Sequence, residues 1–175
     1  MEVKKEITKA TIEKVRDGRY DFIVVNFPNV DVVGHIENET AIKRAVEVVD
    51  ENTGTVVYEA LREDMTVIVT ADHGTVEQWL YPDGAIDTGH TDSPVPFIVI
   101  EKSGGVELRG KGDLTDIAPT VLELMGIAKP DAMSGKSLLK NHTEKGGKRI
   151  LFLILDGWGL NESEKGNLIA ASPTP

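Results

Sequence analysis

Three apolar, strand-like runs of this chain are each followed within a few residues by an aspartate, and two of these aspartates have a histidine close by. A further histidine lies in a Gly/Thr-rich turn ahead of a fourth apolar run. Open parallel sheets present their chemistry at the carboxyl ends of their strands. Three carboxylates and three imidazoles that converge there cannot remain unpaired and would need cations. The six candidate ligands are Asp31, His35, Asp72, His73, His90 and Asp156.

Asp31 and His35 are four residues apart in a predicted turn that opens toward a helix. A carboxylate oxygen together with an imidazole nitrogen suits Mn²⁺ or Zn²⁺ better than Ca²⁺. A hydrogen bond on the protein surface would explain the same spacing. This pair alone therefore does not establish a metal site.

Asp72 and His73 form a stronger pattern because they are adjacent and closely follow the apolar run Thr66–Thr70. Adjacent side chains after a strand point in different directions and could serve two metals that lie close together. The alternative is a turn that Asp72 caps, with His73 exposed to solvent. Asp156 could likewise be a helix N-cap and His90 an exposed loop residue, so the metal hypothesis depends on the whole set.

The elements that would position these side chains alternate between strands and helices. Residues 20–26 (YDFIVVN) and Ile150–Leu155 (ILFLIL) are continuous apolar runs, typical of strands buried on both faces. Thr66–Thr70 and residues 95–100 (VPFIVI) predict two further strands, and apolar residues at the helical period predict a long helix over residues 40–61. The alternation predicts an α/β sandwich with a mostly parallel central sheet, in which Ile150–Leu155 is an interior strand.

Two shorter helices and a linker complete the prediction. The spacing of Ile7, Ile12 and Val15 predicts a first amphipathic helix that ends near Asp17 and Gly18. Thr115 is the expected N-cap of a helix that runs through Met125, with Gly126 as its C-terminal stop. The polar, Gly-containing segment 141–149 is predicted to be a mobile linker.

The bulk composition limits the class of protein and the kinds of partner. A chain of 175 residues is long enough for one domain with a substantial core. Its formal net charge of −10 argues against nucleic acid or an anionic membrane as a partner. Cysteine is absent, which excludes disulfides and thiolate metal sites. No apolar run approaches membrane-spanning length and the first ten residues lack a signal peptide's apolar stretch, so we expect a cytoplasmic protein.

Longer motifs make the chain resemble a known enzyme family. It resembles the carboxyl-terminal half of the cofactor-independent (2,3-bisphosphoglycerate-independent) phosphoglycerate mutases in NVDVVGH, TADHG, TGHTDSPVPF, DLTDIAPTVLELMG and SGKSLL. It resembles the amino terminus of the same family in ILFLILDGWGLNESEKGNLIAASPTP. The resemblance implies a circular permutation within a single domain, residues 1–175. Residues 1–140 then correspond to the family's later part, 141–149 to a linker, and 150–175 to its first strand and the start of a helix.

This family belongs to the alkaline-phosphatase-like superfamily, so the resemblance implies a three-layer sandwich that binds metals. It implies two divalent ions, with Mn²⁺ expected first and Zn²⁺, Mg²⁺ or Co²⁺ as alternatives. The implied reaction interconverts 3-phosphoglycerate and 2-phosphoglycerate through a phosphoserine, an isomerase activity of glycolysis. The ligand sets implied by the resemblance are Asp31, His35 and His90 for one ion and Asp72, His73 and Asp156 for the other.

The family's nucleophile has no counterpart in this sequence. Its serine lies in an Asn-Ser-Glu motif that occurs nowhere in these 175 residues, and neither Ser163 nor Ser172 is in a matching context. The family's inserted transferase domain has no counterpart either. We therefore expect a catalytically incomplete chain that acts on phosphoglycerate or another phosphate ester, with a second polypeptide as one source of the missing parts. Two alternatives stay open: a stand-alone two-metal phosphohydrolase, and a non-catalytic metal-stabilised scaffold or engineered chain.

Overall fold

A four-stranded sheet between layers of helices forms the frame of the protein. The computed structural model describes residues 2–140 and 147–174. The strands are β1 (Phe22–Phe27), β2 (Thr66–Thr70), β3 (Phe97–Ile100) and β4 (Ile150–Leu155). Their order in the sheet is β1-β4-β2-β3, in which β1, β4 and β2 run parallel and β3 is antiparallel to β2. The predicted α/β class with a mostly parallel sheet is confirmed.

Helices cover both faces of this sheet. They are α1 (Glu2–Asp17), α2 (Asn29–Gly34), α3 (Glu39–Arg62) and α4 (Ile117–Leu124), with short 3₁₀ turns at Val76–Gln78 and Leu114–Asp116. One core packs α1, α2 and α3 against Leu151 and Leu153, and the other packs α4 against Ile150 and Phe152. The two cores lie on opposite faces because successive residues of a strand alternate in direction. In the described part of the chain, no helix is long and apolar enough to cross a membrane.

Ile150–Leu155 is an interior strand, as its uniformly apolar sequence predicts. β4 pairs with β1 on one side and with β2 on the other, so that Leu153 lies opposite both Val25 and Val69. Five of its six residues are buried. An all-apolar strand has no polar face to present to water, and the interior of a sheet covered on both faces is its stable location. Most of the linker predicted before it, segment 141–149, lies outside the described residues.

β1 differs from the prediction that residues 20–26 form a strand buried on both faces. The strand starts at Phe22 and lies at the edge of the sheet. Val25 and Phe27 are buried, but Phe22 and Val24, which face the other side, are 40% and 53% exposed. The α4 core reaches β2 and β4 and does not include these β1 residues. An apolar run indicates a strand, but it does not show whether neighbours cover both of its faces.

Capping groups set the starts of two helices. α3 begins after Asn38, whose side-chain oxygen accepts a hydrogen bond from the Ala41 N–H at 3.0 Å, within one residue of the predicted start. The prediction that Thr115 is the next N-cap is wrong. Asp113 caps this segment instead, since its side chain accepts from the Thr115 N–H at 2.9 Å and Asp116 accepts from the Asp113 N–H at 3.1 Å. A carboxylate two residues earlier competes successfully for the same backbone groups.

Asp116 is a buried carboxylate that fastens the segment leading into α4. The Lys136 N–H, which donates to Asp116 at 2.7 Å, lowers the pKa of this carboxyl, and the Asp113 N–H and the Arg109 guanidinium act in the same direction. Donors approach both carboxylate oxygens, at Oδ1 from Lys136 and at Oδ2 from Asp113 and Arg109. These hydrogen bonds therefore stabilise the ionised form of the Asp116 carboxyl in the folded protein.

We expect Asp116→Asn to reduce the free energy of unfolding by about 1–3 kcal/mol at pH 7, because the new NH₂ group would face a buried donor. A lowered folded-state pKa makes the wild-type contribution complete above the unfolded value of about 3.9. The contribution is then lost as the pH falls through the folded-state pKa. Urea denaturation of both proteins between pH 7 and pH 2 should show their difference shrinking at acid pH. A difference independent of pH would contradict this account of Asp116.

Candidate metal centre

The carboxyl ends of the three parallel strands bring the predicted ligands to one edge of the sheet. Asp156 directly follows β4, and Asp72 and His73 follow β2 after one intervening residue. Asp31 and His35 follow β1, but they belong to the short helix α2 and its C-cap rather than to the predicted turn. The Asp31 N–H donates to the Asp156 carbonyl at 3.1 Å, which ties the start of α2 to the end of β4.

Asp31, His35 and His90 form the first group of converging side chains. Their ligand atoms all lie within 4.8 Å of one another. Asp31 Oδ1 is 3.2 Å from Nε2 of His35 and 3.2 Å from Nε2 of His90. His35 faces Asp31 because residues four apart are neighbours on a helix surface, whereas His90 comes from the loop before β3. The structure therefore brings together the three residues that the family resemblance implies for one ion.

Asp31 also belongs to a second group, with His73 and Asp156, whose ligand atoms again lie within 4.8 Å of one another. His73 Nε2 is 3.5 Å from Asp156 Oδ1 and 3.9 Å from Asp31 Oδ1. The rings of His73 and His90 stack, with centroids 3.8 Å apart and 16° between their planes. The two groups are neighbours that share one carboxylate, an arrangement suited to a pair of divalent ions.

Asp72 lies beside the second group rather than within it. Among the described residues, that group holds Asp31 where the sequence-based assignment had Asp72. Asp72 Oδ1 accepts from the His73 N–H at 3.1 Å, and Asp72 Oδ2 is 3.7 Å from His73 Nε2. Its carboxylate is thus partly engaged with the backbone, as in the capped-turn alternative, but His73 is not exposed as that alternative also required. The ligand role of Asp72, like that of the other five residues, stays a prediction.

Backbone carbonyls orient two of the histidine rings. Nδ1 of His35 lies 2.7 Å from the Thr88 carbonyl oxygen, and Nδ1 of His73 lies 3.1 Å from that of Gly74. A carbonyl only accepts, so a proton on each Nδ1 satisfies these contacts and leaves Nε2, the nitrogen beside the carboxylates, as the one available to a cation. Hydrogen bonds of this kind commonly orient metal-binding histidines. Imidazole nitrogens and carboxylate oxygens placed in this way fit a divalent metal such as Mn²⁺ or Zn²⁺.

Two polar residues that sequence reasoning missed also contact the candidate centre. Thr75 is fully buried, and its hydroxyl lies 3.3 Å from Asp31 Oδ1 and 3.4 Å from His73 Nδ1. Asn26 Nδ2 donates to Asp156 Oδ2 at 3.0 Å. Asn26 could have been noticed as a polar residue near the carboxyl end of an apolar strand. Thr75 gives no such signal, since its contacts depend on the course of the loop after β2.

A cleft of about 1270 Å³ opens beside the candidate centre. Its lining includes Asp72 and His73, and it also includes the cationic side chains Arg109 and Lys111. The lining also contains three further carboxylates, Asp92, Asp113 and Glu162. The cleft would therefore suit an anionic small molecule only with cations bound at the candidate ligands, because the acidic side chains would otherwise repel negative charge.

Comparison with known proteins places the chain in a family. The profile of the metalloenzyme superfamily matches residues 2–129. The chain belongs to the metalloenzyme superfamily. The chain is 50% identical over 135 residues to the 2,3-bisphosphoglycerate-independent phosphoglycerate mutase of Syntrophotalea carbinolica, and 44% identical over 137 residues to that of Clostridium kluyveri. The matches cover 77% and 78% of this chain but 26% and 27% of the relatives, so the chain spans about a quarter of their length.

A solved structure shows the same relationship. The chain is similar to Leishmania mexicana phosphoglycerate mutase, crystallised at low cobalt concentration, with a TM-score of 0.66 and 30% sequence identity. The similarity covers 78% of this chain and 28% of the Leishmania chain. The resemblance to phosphoglycerate mutases that the motifs suggested is confirmed. Residues 150–175 lie outside the superfamily match, so the permuted order stays a prediction.

Proposed function

We propose that this metalloenzyme is the metal-binding, phosphatase-type part of a cofactor-independent phosphoglycerate mutase and that it holds two divalent cations. The observation that carries this proposal is the position of Asp31, whose Oδ1 faces Nε2 of three histidines at 3.2–3.9 Å. A carboxylate shared between two groups of ligands suits a two-metal site. The proposed ligands are Asp31, His35 and His90 for one cation and His73, Asp156 and Asp72 for the other, with Asp31 beside both.

The residues around the site have separate tasks in this proposal. When bound, the cations would neutralise phosphoryl oxygens and activate a nucleophile. Asn26 holds the Asp156 carboxylate in place through its hydrogen bond at 3.0 Å. Lys111 lines the cleft, where its charge would attract the anionic groups of a phosphate ester. Arg109 lines the cleft too, but its guanidinium is paired with Asp116. The substrate class that fits best is therefore a phosphate ester, with phosphoglycerate as the first candidate.

The same observations support more specific proposals about the metal, the reaction and the location of the protein. We propose Mn²⁺ as the metal, the interconversion of 3-phosphoglycerate and 2-phosphoglycerate in glycolysis as the reaction of the complete protein, and the cytoplasm as its location. We also propose that the chain is circularly permuted. The position of β4 supports this, since Ile150–Leu155 completes the interior of the sheet instead of extending its edge.

The serines of the last segment support the view that this chain lacks the nucleophile. The Ser172 hydroxyl is buried and donates to the Leu168 carbonyl at 2.6 Å. Ser163 Oγ accepts from the Lys165 N–H at 3.3 Å in an exposed turn. Both hydroxyls make local bonds, and neither belongs to the converging groups. We therefore propose that the nucleophile and the substrate-binding domain come from another segment or a second polypeptide.

The purified chain is expected to show no interconversion of 3- and 2-phosphoglycerate in Mn²⁺, as followed by ³¹P NMR. The family's Asn-Ser-Glu motif, whose serine would hold the phosphoryl group while the glycerate reorients, is absent from these 175 residues. Positioning contributes about 7 kcal/mol or more to such steps. Weak, Mn²⁺-dependent hydrolysis of p-nitrophenyl phosphate is expected, and it should fall about tenfold or more in Asp72→Ala or Asp156→Ala. Asp131→Ala is the matched control because Asp131 is exposed and does not line the cleft.

The three interpretations predict different outcomes of this assay. Fast mutase turnover by the chain alone would show that the nucleophile lies within it and would contradict the proposal. Fast aryl phosphate hydrolysis would favour a stand-alone phosphohydrolase that uses water as the nucleophile. Mn²⁺ binding without either activity would favour a metal-stabilised scaffold.

A further inference from the structure

Glu77 is a completely buried carboxylate beside the candidate metal centre, and it is not one of the converging ligands. It lies in the 3₁₀ turn Val76–Gln78, in the loop that follows β2. Within the described residues, hydrogen bonds hold this carboxylate and no lysine or arginine pairs with it. Burying a carboxylate without a cation is costly unless hydrogen bonds replace the lost water. A residue retained at that cost is a candidate for a specific role.

Two side-chain hydrogen bonds of Glu77 join two loops that carry candidate ligands. Oε2 accepts from the Thr75 N–H at 2.8 Å, within the loop that carries His73. Oε1 accepts from the hydroxyl of Thr91, the residue that follows His90. The two carboxylate oxygens therefore connect the His73 loop to the His90 loop.

A third segment, the one that follows Asp156, packs against the same carboxylate. Gly159 lies so close to Glu77 that a Cβ at this position would overlap the carboxylate. The Asn161 side-chain amide donates to the Glu77 carbonyl at 3.1 Å. Gly74 makes an equally close approach from the His73 loop. Glu77 thus occupies a space enclosed by three of the four ligand-bearing segments at the sheet edge, the fourth being α2.

We propose that Glu77 is a positioning residue that sets the spacing of these three segments for metal binding, an inference that rests on the proposed function. Thr75 extends the effect to α2, because Glu77 holds its backbone while its hydroxyl contacts Asp31 Oδ1. A residue that only stabilised the fold would have no need to contact three separate segments that each supply a candidate ligand. Removing the carboxylate should therefore alter the ligand geometry even where the protein stays folded.

Glu77→Gln tests this proposal, since it keeps the side chain's shape but turns an NH₂ group toward a donor. We expect the affinity for Co²⁺, used as a spectroscopic probe, to fall about 10–100-fold. The visible absorption spectrum of bound Co²⁺ should change as well, because it reports ligand geometry. Glu59→Gln is the matched control, as Glu59 is buried on α3 and bound by Arg16 of α1. It should lower stability and leave Co²⁺ affinity and spectrum unchanged.

The outcomes separate this inference from the proposed function. Circular dichroism shows first whether Glu77→Gln is folded. If Glu77→Gln is unfolded, Thr91→Val tests the proposal instead. This variant removes the hydroxyl that donates to Glu77 Oε1 and leaves the Glu77 carboxylate in place. It should reduce Co²⁺ affinity by a smaller factor than the loss of the carboxylate would. Unchanged affinity and spectrum in the folded variant would overturn the positioning role and leave the two-metal proposal intact. Absence of Co²⁺ binding by the wild-type chain would overturn both.

Discussion

Replacing Asp31 with asparagine is expected to weaken the binding of both divalent cations by more than about 100-fold. Asp31 is the one side chain common to the two converging groups of the described residues. An asparagine keeps the shape, but its neutral amide oxygen is a weaker ligand for a divalent cation than a carboxylate oxygen. Changing a residue that only supports a ligand costs about 10–100-fold in affinity. The loss of a shared ligand should exceed that range.

Calorimetric titration with Mn²⁺ measures this effect as affinity and stoichiometry. The wild-type chain should bind two ions, whereas His35→Ala should retain the second group and bind one ion with affinity near that of the wild type. Asp31→Asn should bind neither ion in the same concentration range. Asp131→Asn, an exposed aspartate outside both groups, is the matched control and should bind like the wild type. Two ions bound by Asp31→Asn at wild-type affinity would exclude Asp31 as the shared ligand.

Leu153→Ala is expected to lower the free energy of unfolding by about 2–5 kcal/mol, a large part of the total stability of a typical domain. Leu153 is fully buried in β4, opposite Val25 of β1 and Val69 of β2. Truncation removes its apolar contacts and leaves a cavity that paired strands on both sides cannot close. The cost should therefore lie well above that of an average substitution.

Urea denaturation in the presence of EDTA measures this loss without a contribution from bound metal. Val24→Ala is the matched control, because Val24 is 53% exposed on the uncovered face of β1. It should cost no more than about 0.5 kcal/mol. Equal losses in the two variants would contradict the central place of β4 in the stability of the fold.

Much of the fold was predictable because its signals are local. The run ILFLIL has no polar position, so an interior strand at Ile150–Leu155 follows from its sequence. The helical period of residues 40–61 gave α3 to within one residue at each end. The exposure of Phe22 and Val24 was not predictable in the same way. It depends on which elements cover β1, and a strand's own sequence does not carry that information.

The sequence predicted which residues form the candidate site, but it predicted less well which of them lie together in each group of ligands. The Asp and His pairs after the strands were recognisable from their spacing. The place of Asp31 beside both His73 and His90 depends on how α2 packs against the end of β4, which no local pattern reports. Nothing in the sequence distinguishes Glu77 from an ordinary loop residue. It becomes significant only when segments distant in the chain enclose its carboxylate.

The place of β4 between β1 and β2 has a consequence for how the chain folds. The ribosome delivers β1, β2 and β3 before the strand that joins β1 to the rest of the sheet has been made. Asn26 and Asp156, which are hydrogen-bonded at the sheet edge, are 130 residues apart in sequence. Contacts at such separation slow folding and leave apolar strand edges exposed until they form. We therefore expect the strand edges of β1 and β2 to remain unpaired until β4 has been made, and the closing of the sheet to be a late event in folding.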